Sequence, residues 1–419
     1  MIDTPLRLLQ ADDECRLSAS LYWRRFITNT EHCASQRVQE IAKSAIHEMT
    51  RLSKQVEDPA FLSWAKPTAD TPEHIKEAAI RAIRDGLVGG YSVNTGIPSL
   101  REEIASKLER DNNIPADPAE IMTTVGAVEG LTSTVMSLID PGDEVILPSP
   151  TYSTHVLQVR LASGVPVFVP AVEEDGYAFD FDAFREAITP RTKAVMFCTP
   201  NNPTGTVFGE QQLRQLAEIA LENGLMIITD EAYEYFTYDG EKHFSIASIP
   251  EVRKKVVSCF TFTKTYAMTG WRIGYLHADA SLIPHIGKAH IASCICPPVV
   301  SQYAALAALT GPQDCVAEFR EHYRSARDVM CARLDRLNAV FEYQKPTGSY
   351  LMFPRILVDE GRDSMSFCKK LLREARVSTT PGIAFGPTGE NHLRLSFCVP
   401  EAEIHRAFDR IEAYFNRAE

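Results

Sequence analysis

Short apolar runs alternate with helix-like stretches through the middle of this chain. The runs are Ile121–Val125, Glu144–Leu147, Val165–Val169, Ala194–Phe197, Leu225–Thr229, Val256–Phe260 and Ile273–Leu276. They are rich in β-branched residues and nearly unbroken by polar ones, which predicts strands covered on both faces and so a mostly parallel α/β sheet. Pro166 weakens one of them, because proline has no N–H to give a ladder. Ligands of such sheets sit at the carboxyl ends of the strands. A helical pattern with Ile41, Ile46 and Met49 starts near residue 37, and a charged amphipathic helix is expected over 73–85. After about 310 the texture changes: a long helix over 315–338, short strands after Ser349-Tyr350-Leu351, and a terminal helix from about 401 predict a smaller α+β domain. The expected organisation is an arm at 1–36, a small domain from 37–85 and 311–419, and a large domain at 86–310.

Length and charge narrow the class. A chain of 419 residues with 45% hydrophobic and 23% charged residues is too long for one ordinary core and too apolar for disorder. A net charge of -12 argues against nucleic acid as a partner. The ten cysteines form no CxxC set, and Cys294 and Cys296 stand too close for a zinc knuckle, so neither a metal nor disulfides are expected and a reducing cytosol is. Asp3, Asp12, Asp13 and Glu14 interrupt the N-terminus, so no signal or transit peptide is expected. No apolar run is long enough to span a bilayer. Leu21-Tyr22-Trp23-Arg24-Arg25-Phe26 reads either as a docked helix or as a segment covering a partner or a cleft.

Candidate chemistry centres on Thr261-Phe262-Thr263-Lys264, followed by Gly270-Trp271-Arg272-Ile273-Gly274-Tyr275. Lys264 lies between a buried strand and a glycine-punctuated return. A partly buried amine loses basicity and becomes a nucleophile toward carbonyls. Arg272 is a natural two-pronged partner for a phosphate, and Thr261 can add a hydroxyl. The set resembles the Ser-x-Ser-Lys…Gly-x-Arg-x-Gly signature of class I/II aminotransferases, enzymes of fold type I that use pyridoxal 5′-phosphate (PLP). Thr stands for Ser at both hydroxyl positions.

Further motifs match the same family in order, over about residues 37–419. The resemblance implies that Lys264 holds PLP as a Schiff base. Asn202, in Pro200-Asn201-Asn202-Pro203-Thr204-Gly205, is implied to bond the phenolic oxygen, although the same residues also suit a plain turn. Asp230, in Asp230-Glu231-Ala232-Tyr233, is implied to pair with the pyridine nitrogen, and Tyr233 to donate to the phenolic oxygen. The turn Gly126-Ala127-Val128 is implied to bind the phosphate through its amides, Tyr152 to stack on the ring, and Thr263 to stand beside the cofactor. Tyr91 resembles a tyrosine that reaches the phosphate of a neighbouring subunit, so a homodimer with shared sites is implied. Arg394, in His392-Leu393-Arg394-Leu395-Ser396, is implied to bind the substrate α-carboxylate.

The pattern departs at Trp64-Ala65-Lys66-Pro67, where the family has Gly-x-Pro. Ala65 replaces the glycine that approaches the substrate. Lys66 either points to solvent or leans into the cleft and favours anionic side chains. The function implied is transfer of an amino group between an α-amino acid and a 2-oxo acid by a ping-pong aldimine mechanism. A lyase, cyclase or oxidase of a specialised pathway would use the same contacts. A non-catalytic ligand sensor fused to a DNA-binding module is the remaining alternative, and no basic module is visible.

Overall fold

Eight strands make the central sheet: β1 (Ile121–Thr124), β2 (Glu144–Ser149), β3 (Val165–Val172), β4 (Ala178–Phe179), β5 (Thr192–Cys198), β6 (Met226–Asp230), β7 (Val256–Thr261) and β8 (Gly274–His277). The computed structural model describes residues 34–359 and 363–416; the Leu21–Phe26 stretch lies outside them. Strand order is β1-β8-β7-β6-β5-β2-β3-β4. The steps β7-β6-β5-β2-β3 are parallel, while β8 and β4 run against their neighbours. The α/β class and the mostly parallel sheet are as the sequence pattern implies.

Both faces of the sheet are buried, and alternate residues serve different cores, as the period of two requires. Val195, Phe197, Ile227, Val256 and Phe260 meet helices Glu73–Arg84, Pro98–Asn112 and Glu210–Glu222 through Ile75, Ile104, Leu108 and Leu213. Ala194, Met196, Ile228, Val257 and Cys259 meet helices Gly126–Leu138, Ser153–Leu161 and Ile283–Cys294 through Leu131, Val159 and Ile286. Pro166 is tolerated because β4 pairs only with Ala171 and Val172, which leaves the start of β3 on the sheet edge.

A further core joins helices Asp314–Asp335 and Glu401–Phe415 to the short strands Leu351–Met352, Thr380–Pro381 and Leu393–Ser396. Met49, from helix Ala45–Ser53, belongs to it. The helical pattern expected from residue 37 is two helices rather than one. Ser44 is extended and its Oγ accepts from the His47 N–H at 3.3 Å, starting a new helix. Residues 34–42 form a separate unit in which Gln36–Gln39 is helical. Among the described residues no helix is long and apolar enough to cross a membrane.

Sheet topology converges on one edge. Gly274, the first residue of β8, lies opposite both Thr261 at the end of β7 and Thr124 at the end of β1. A Cβ at Gly274 would stand 2.6 Å from the Phe260 carbonyl oxygen and 2.9 Å from the Ala127 nitrogen. Only glycine lets the turn after β1 come this close to the loop after β7.

Phe197 packs edge-on to Phe179 and Phe208 at centroid distances of 5.7 and 5.9 Å. Phe197→Ala is expected to cost about 3–5 kcal/mol in denaturant unfolding, against roughly 0.5 kcal/mol for Leu221→Ala on the surface. Equal costs would place Phe197 outside the core.

Candidate functional site

Four strand ends and the return after β7 open onto one cavity of about 400 Å³. All the candidate residues except Gly126 and Tyr91 line it: Ala65, Lys66, Ala127, Val128, Tyr152, Asn202, Asp230, Tyr233, Thr261, Thr263, Lys264, Arg272 and Arg394. Gly126 immediately precedes Ala127 of the wall. Tyr91 does not reach it and is 82% exposed.

Lys264 sits on the single helical turn Phe262–Thr265, whose start is capped by Thr261 Oγ1 accepting from the Thr263 N–H at 3.2 Å. Its Nζ donates to the Ala65 carbonyl at 2.9 Å, and the Tyr233 and Tyr350 rings lie 5.8 and 5.7 Å away. Burial pushes the amine down to about 8.

Arg272 has φ +51°, in the left-handed region, which turns its side chain toward β1. Its guanidinium donates to the Thr269 and Val125 carbonyls at 3.2 and 3.4 Å. Gly126 has φ +72°, and a Cβ there would stand 2.5 Å from Arg272 Nη2. The turn is held from behind by Glu129, whose carboxylate accepts from the Val125 N–H at 3.1 Å, Ser133 Oγ at 2.6 Å and His290 Nδ1 at 3.0 Å. Glu129, His290 and Cys294 also place ligand atoms within 4.8 Å of one another. The hydrogen bonds to Glu129 account for its position in this cluster.

Asp230 ends β6, where its Oδ1 accepts from the Ala232 N–H at 3.2 Å and its Oδ2 lies 3.5 Å from His155 Nε2. His155 is fully buried, edge-on to Tyr152 at 5.4 Å. Arg394 is buried on the opposite strand set. It donates to the Ser63 carbonyl at 2.7 Å, Asn202 Oδ1 at 3.3 Å and Thr380 Oγ1 at 3.4 Å, and lies 5.0 Å from the Phe385 ring. Burial lowers its pKa and raises those of Tyr152 and Tyr233, so the two phenols stay protonated at neutral pH.

Among the described residues the cavity thus gathers Lys66, Lys264, Arg272 and Arg394 against one carboxylate, Asp230. Its buried Thr263 Oγ1 and Arg394 Nε have no hydrogen-bond partner among the described residues, and the neighbouring His155 Nε2 has none beyond its 3.5 Å approach to Asp230 Oδ2. Such a set suits an anionic ligand and an attack on a carbonyl by the amine.

A family model described as aminotransferase class I and II matches residues 62–411. The chain belongs to this family. It is an aminotransferase, an enzyme that moves amino groups. It is 38% identical over 381 residues to the aromatic-amino-acid aminotransferase 2 of Thermococcus litoralis, covering 90% of this chain and 97% of that protein. To the aspartate aminotransferase of Pyrococcus abyssi it is 37% identical, with the same coverage. The structure of Thermus thermophilus aspartate aminotransferase with maleate superposes with a TM-score of 0.84 at 34% identity, covering 91% of this aminotransferase and 99% of that chain.

Sequence reasoning missed His155, Tyr350 and Ser63. His155 had one usable signal, its place three residues after Tyr152 at the start of a helix, on the same face as that helix's first turn. Tyr350, which donates to the Ala65 carbonyl at 3.2 Å, and Ser63 had none, because both act through contacts far along the chain.

The depressed Lys264 pKa has a stability signature. Below about 8 the amine is charged in the folded and unfolded states, and the burial penalty is fully present. As pH rises from 8 toward 10.5 only the folded state sheds the proton, and the penalty is relieved. Ligand-free Lys264→Met is therefore expected to be more stable than wild type at pH 7, by at most about 3 kcal/mol, with the gap closing toward high pH. A gap that does not change with pH would remove burial as the cause.

Proposed function

We propose that the cavity binds PLP and that the enzyme transfers an amino group between an α-amino acid and a 2-oxo acid in two half-reactions. The observation that carries this is the Lys264 amine, held near pKa 8 in a cavity with two guanidinium groups and one carboxylate. The residues present fit the cofactor. Gly126 lets the Arg272 guanidinium stand against the turn where a Cβ would block it, Thr263 Oγ1 lacks a hydrogen-bond partner, and four cations face one anion.

In this reading Lys264 would hold PLP covalently through Nζ. Arg272, Thr261, Thr263 and the amides of the Gly126-Ala127-Val128 turn would hold the phosphate. Tyr152 would cover the ring face, and Asn202 and Tyr233 would meet the phenolic oxygen. When bound, PLP supplies an electron sink for charge developing at the substrate α-carbon.

The chain's own groups do the rest. Arg394, oriented by Ser63 and Asn202, binds the substrate carboxylate and so fixes the α-carbon. Asp230, whose Oδ1 accepts from the Ala232 N–H and whose Oδ2 lies beside His155, keeps a proton on the ring nitrogen. The Lys264 amine takes the α-proton and returns it, and a pKa near 8 leaves a useful fraction unprotonated at neutral pH. Tyr233 remains a donor because burial holds its proton on.

We infer a cytosolic homodimer. Ile83, Leu87, Tyr91 and Val93 are 49–82% exposed within eleven residues, an apolar stretch that suits a second copy and would carry Tyr91 toward its site. The eight described cysteines are all free, in keeping with a reducing compartment. Light scattering is expected to give twice the chain mass of 46.7 kDa. A monomer at working concentration would remove the shared-site reading of Tyr91.

PLP-loaded protein given an amino acid without a 2-oxo acid is expected to form one pyridoxamine phosphate per chain. Arg394→Ala should lower kcat/KM by about a hundredfold, since it removes one partner of a buried charged pair. Ammonia release without pyridoxamine phosphate would contradict transamination.

A further inference from the structure

Trp64 and Lys66 are walls of two cavities at once. The first contains Lys264; the second, about 710 Å³, adjoins it and shares Trp64, Lys66 and Thr269. Most of its remaining wall is apolar, including Phe61, Pro67, Trp271 and Val399.

The segment 63–66 faces two ways. The Ser63 carbonyl accepts from Arg394 Nη2 at 2.7 Å and the Ala65 carbonyl from Lys264 Nζ at 2.9 Å. The Trp64 and Lys66 carbonyls instead face the Cys398 thiol, at 3.5 and 3.2 Å. Alternate carbonyls thus point to opposite sides, as in an extended chain. One set is tied to the groups that take the substrate carboxylate and amine. The main chain at 64 and 66 is tied down by Cys398, while both side chains stay exposed beside the reacting centre.

Trp64 is 42% exposed although its ring stacks on Phe61, with centroids 4.5 Å apart. The wall of the second cavity holds two charged residues, Lys66 and Asp70. Asp70 is already paired with Lys76 Nζ at 3.0 Å. Lys66 has no ion pair among the described residues, which leaves one unmatched cation over an aromatic floor.

We propose that Trp64 and Lys66 read the side chain of the amino-acid substrate, and that the favoured substrate has an extended apolar side chain ending in an anionic group. The apolar part lies along the indole and the anion meets the Lys66 ammonium. The inference rests on the aminotransferase reading above and names the substrate class of that site.

The test compares kcat/KM in the amino-acid half-reaction for 2-aminoadipate, norleucine and alanine. The first two have side chains of equal length and differ in the terminal anion. Wild type is expected to prefer 2-aminoadipate to norleucine, and Lys66→Met to cut that preference by about fivefold, the range of a solvent-accessible ion pair. Trp64→Ala is expected to lower both relative to alanine. An unchanged 2-aminoadipate to norleucine ratio in Lys66→Met, with the half-reaction intact, overturns this inference and leaves the aminotransferase reading standing. That measurement suffices even where Trp64→Ala fails to fold. A Trp64→Ala protein with altered mass by light scattering and unaltered substrate ratios would assign the second cavity to a contact between chains, and would also overturn it. No conversion of any amino acid by wild type would contradict the aminotransferase reading itself, and the inference with it.

Discussion

The site depends on a charge imbalance held out of water. Lys264, Arg272 and Arg394 converge on a cavity whose only carboxylate among the described residues is Asp230. Each of the three is tied to neutral acceptors, the carbonyls of Ala65, Val125, Thr269 and Ser63 and, for Arg394, also Asn202 Oδ1 and Thr380 Oγ1, rather than to acids. Carbonyl dipoles hold a guanidinium or an amine in place without neutralising it. The cavity therefore stays electropositive, and burial keeps the Lys264 pKa depressed. Those two properties are what a cofactor phosphate, a substrate carboxylate and a proton-transferring lysine each require.

Sheet topology makes this arrangement possible. The parallel strands send Asp230, Thr261 and the Asn202 loop to one edge, and the antiparallel strand β8 returns Arg272 to that same edge. Gly274 then admits the Gly126 turn to close range. Arg394 comes from a different core, on the strand Leu393–Ser396, and Ser63 links it to the segment that also receives Lys264. Lys264 and Arg394, from distant parts of the chain, are thus both held by carbonyls of residues 63–65.

Much of this was legible in the sequence, for identifiable reasons. The strands β2, β5, β6 and β7 stand out because burial on both faces removes most polar residues from them. Lys264 and Arg272 stand out because threonine and glycine spacing around them is unusual for solvated charges. The break between Gln36–Gln39 and Ala45–Ser53 was hidden, because Ile41, Ile46 and Met49 keep helical spacing across a cap at Ser44. His155 and Tyr350 were hidden because their contacts depend on which strand ends become neighbours, a property of the sheet order rather than of local pattern. Pro166 looked like a defect and is accommodated on an edge.

The chemistry reduces to one amine among many. Loading the protein with PLP, reducing it with borohydride and mapping the label by peptide mass spectrometry tests that directly. A phosphopyridoxyl group is expected on the peptide containing Lys264 and on no other lysine. Label on a different lysine, or none after full loading, would contradict it.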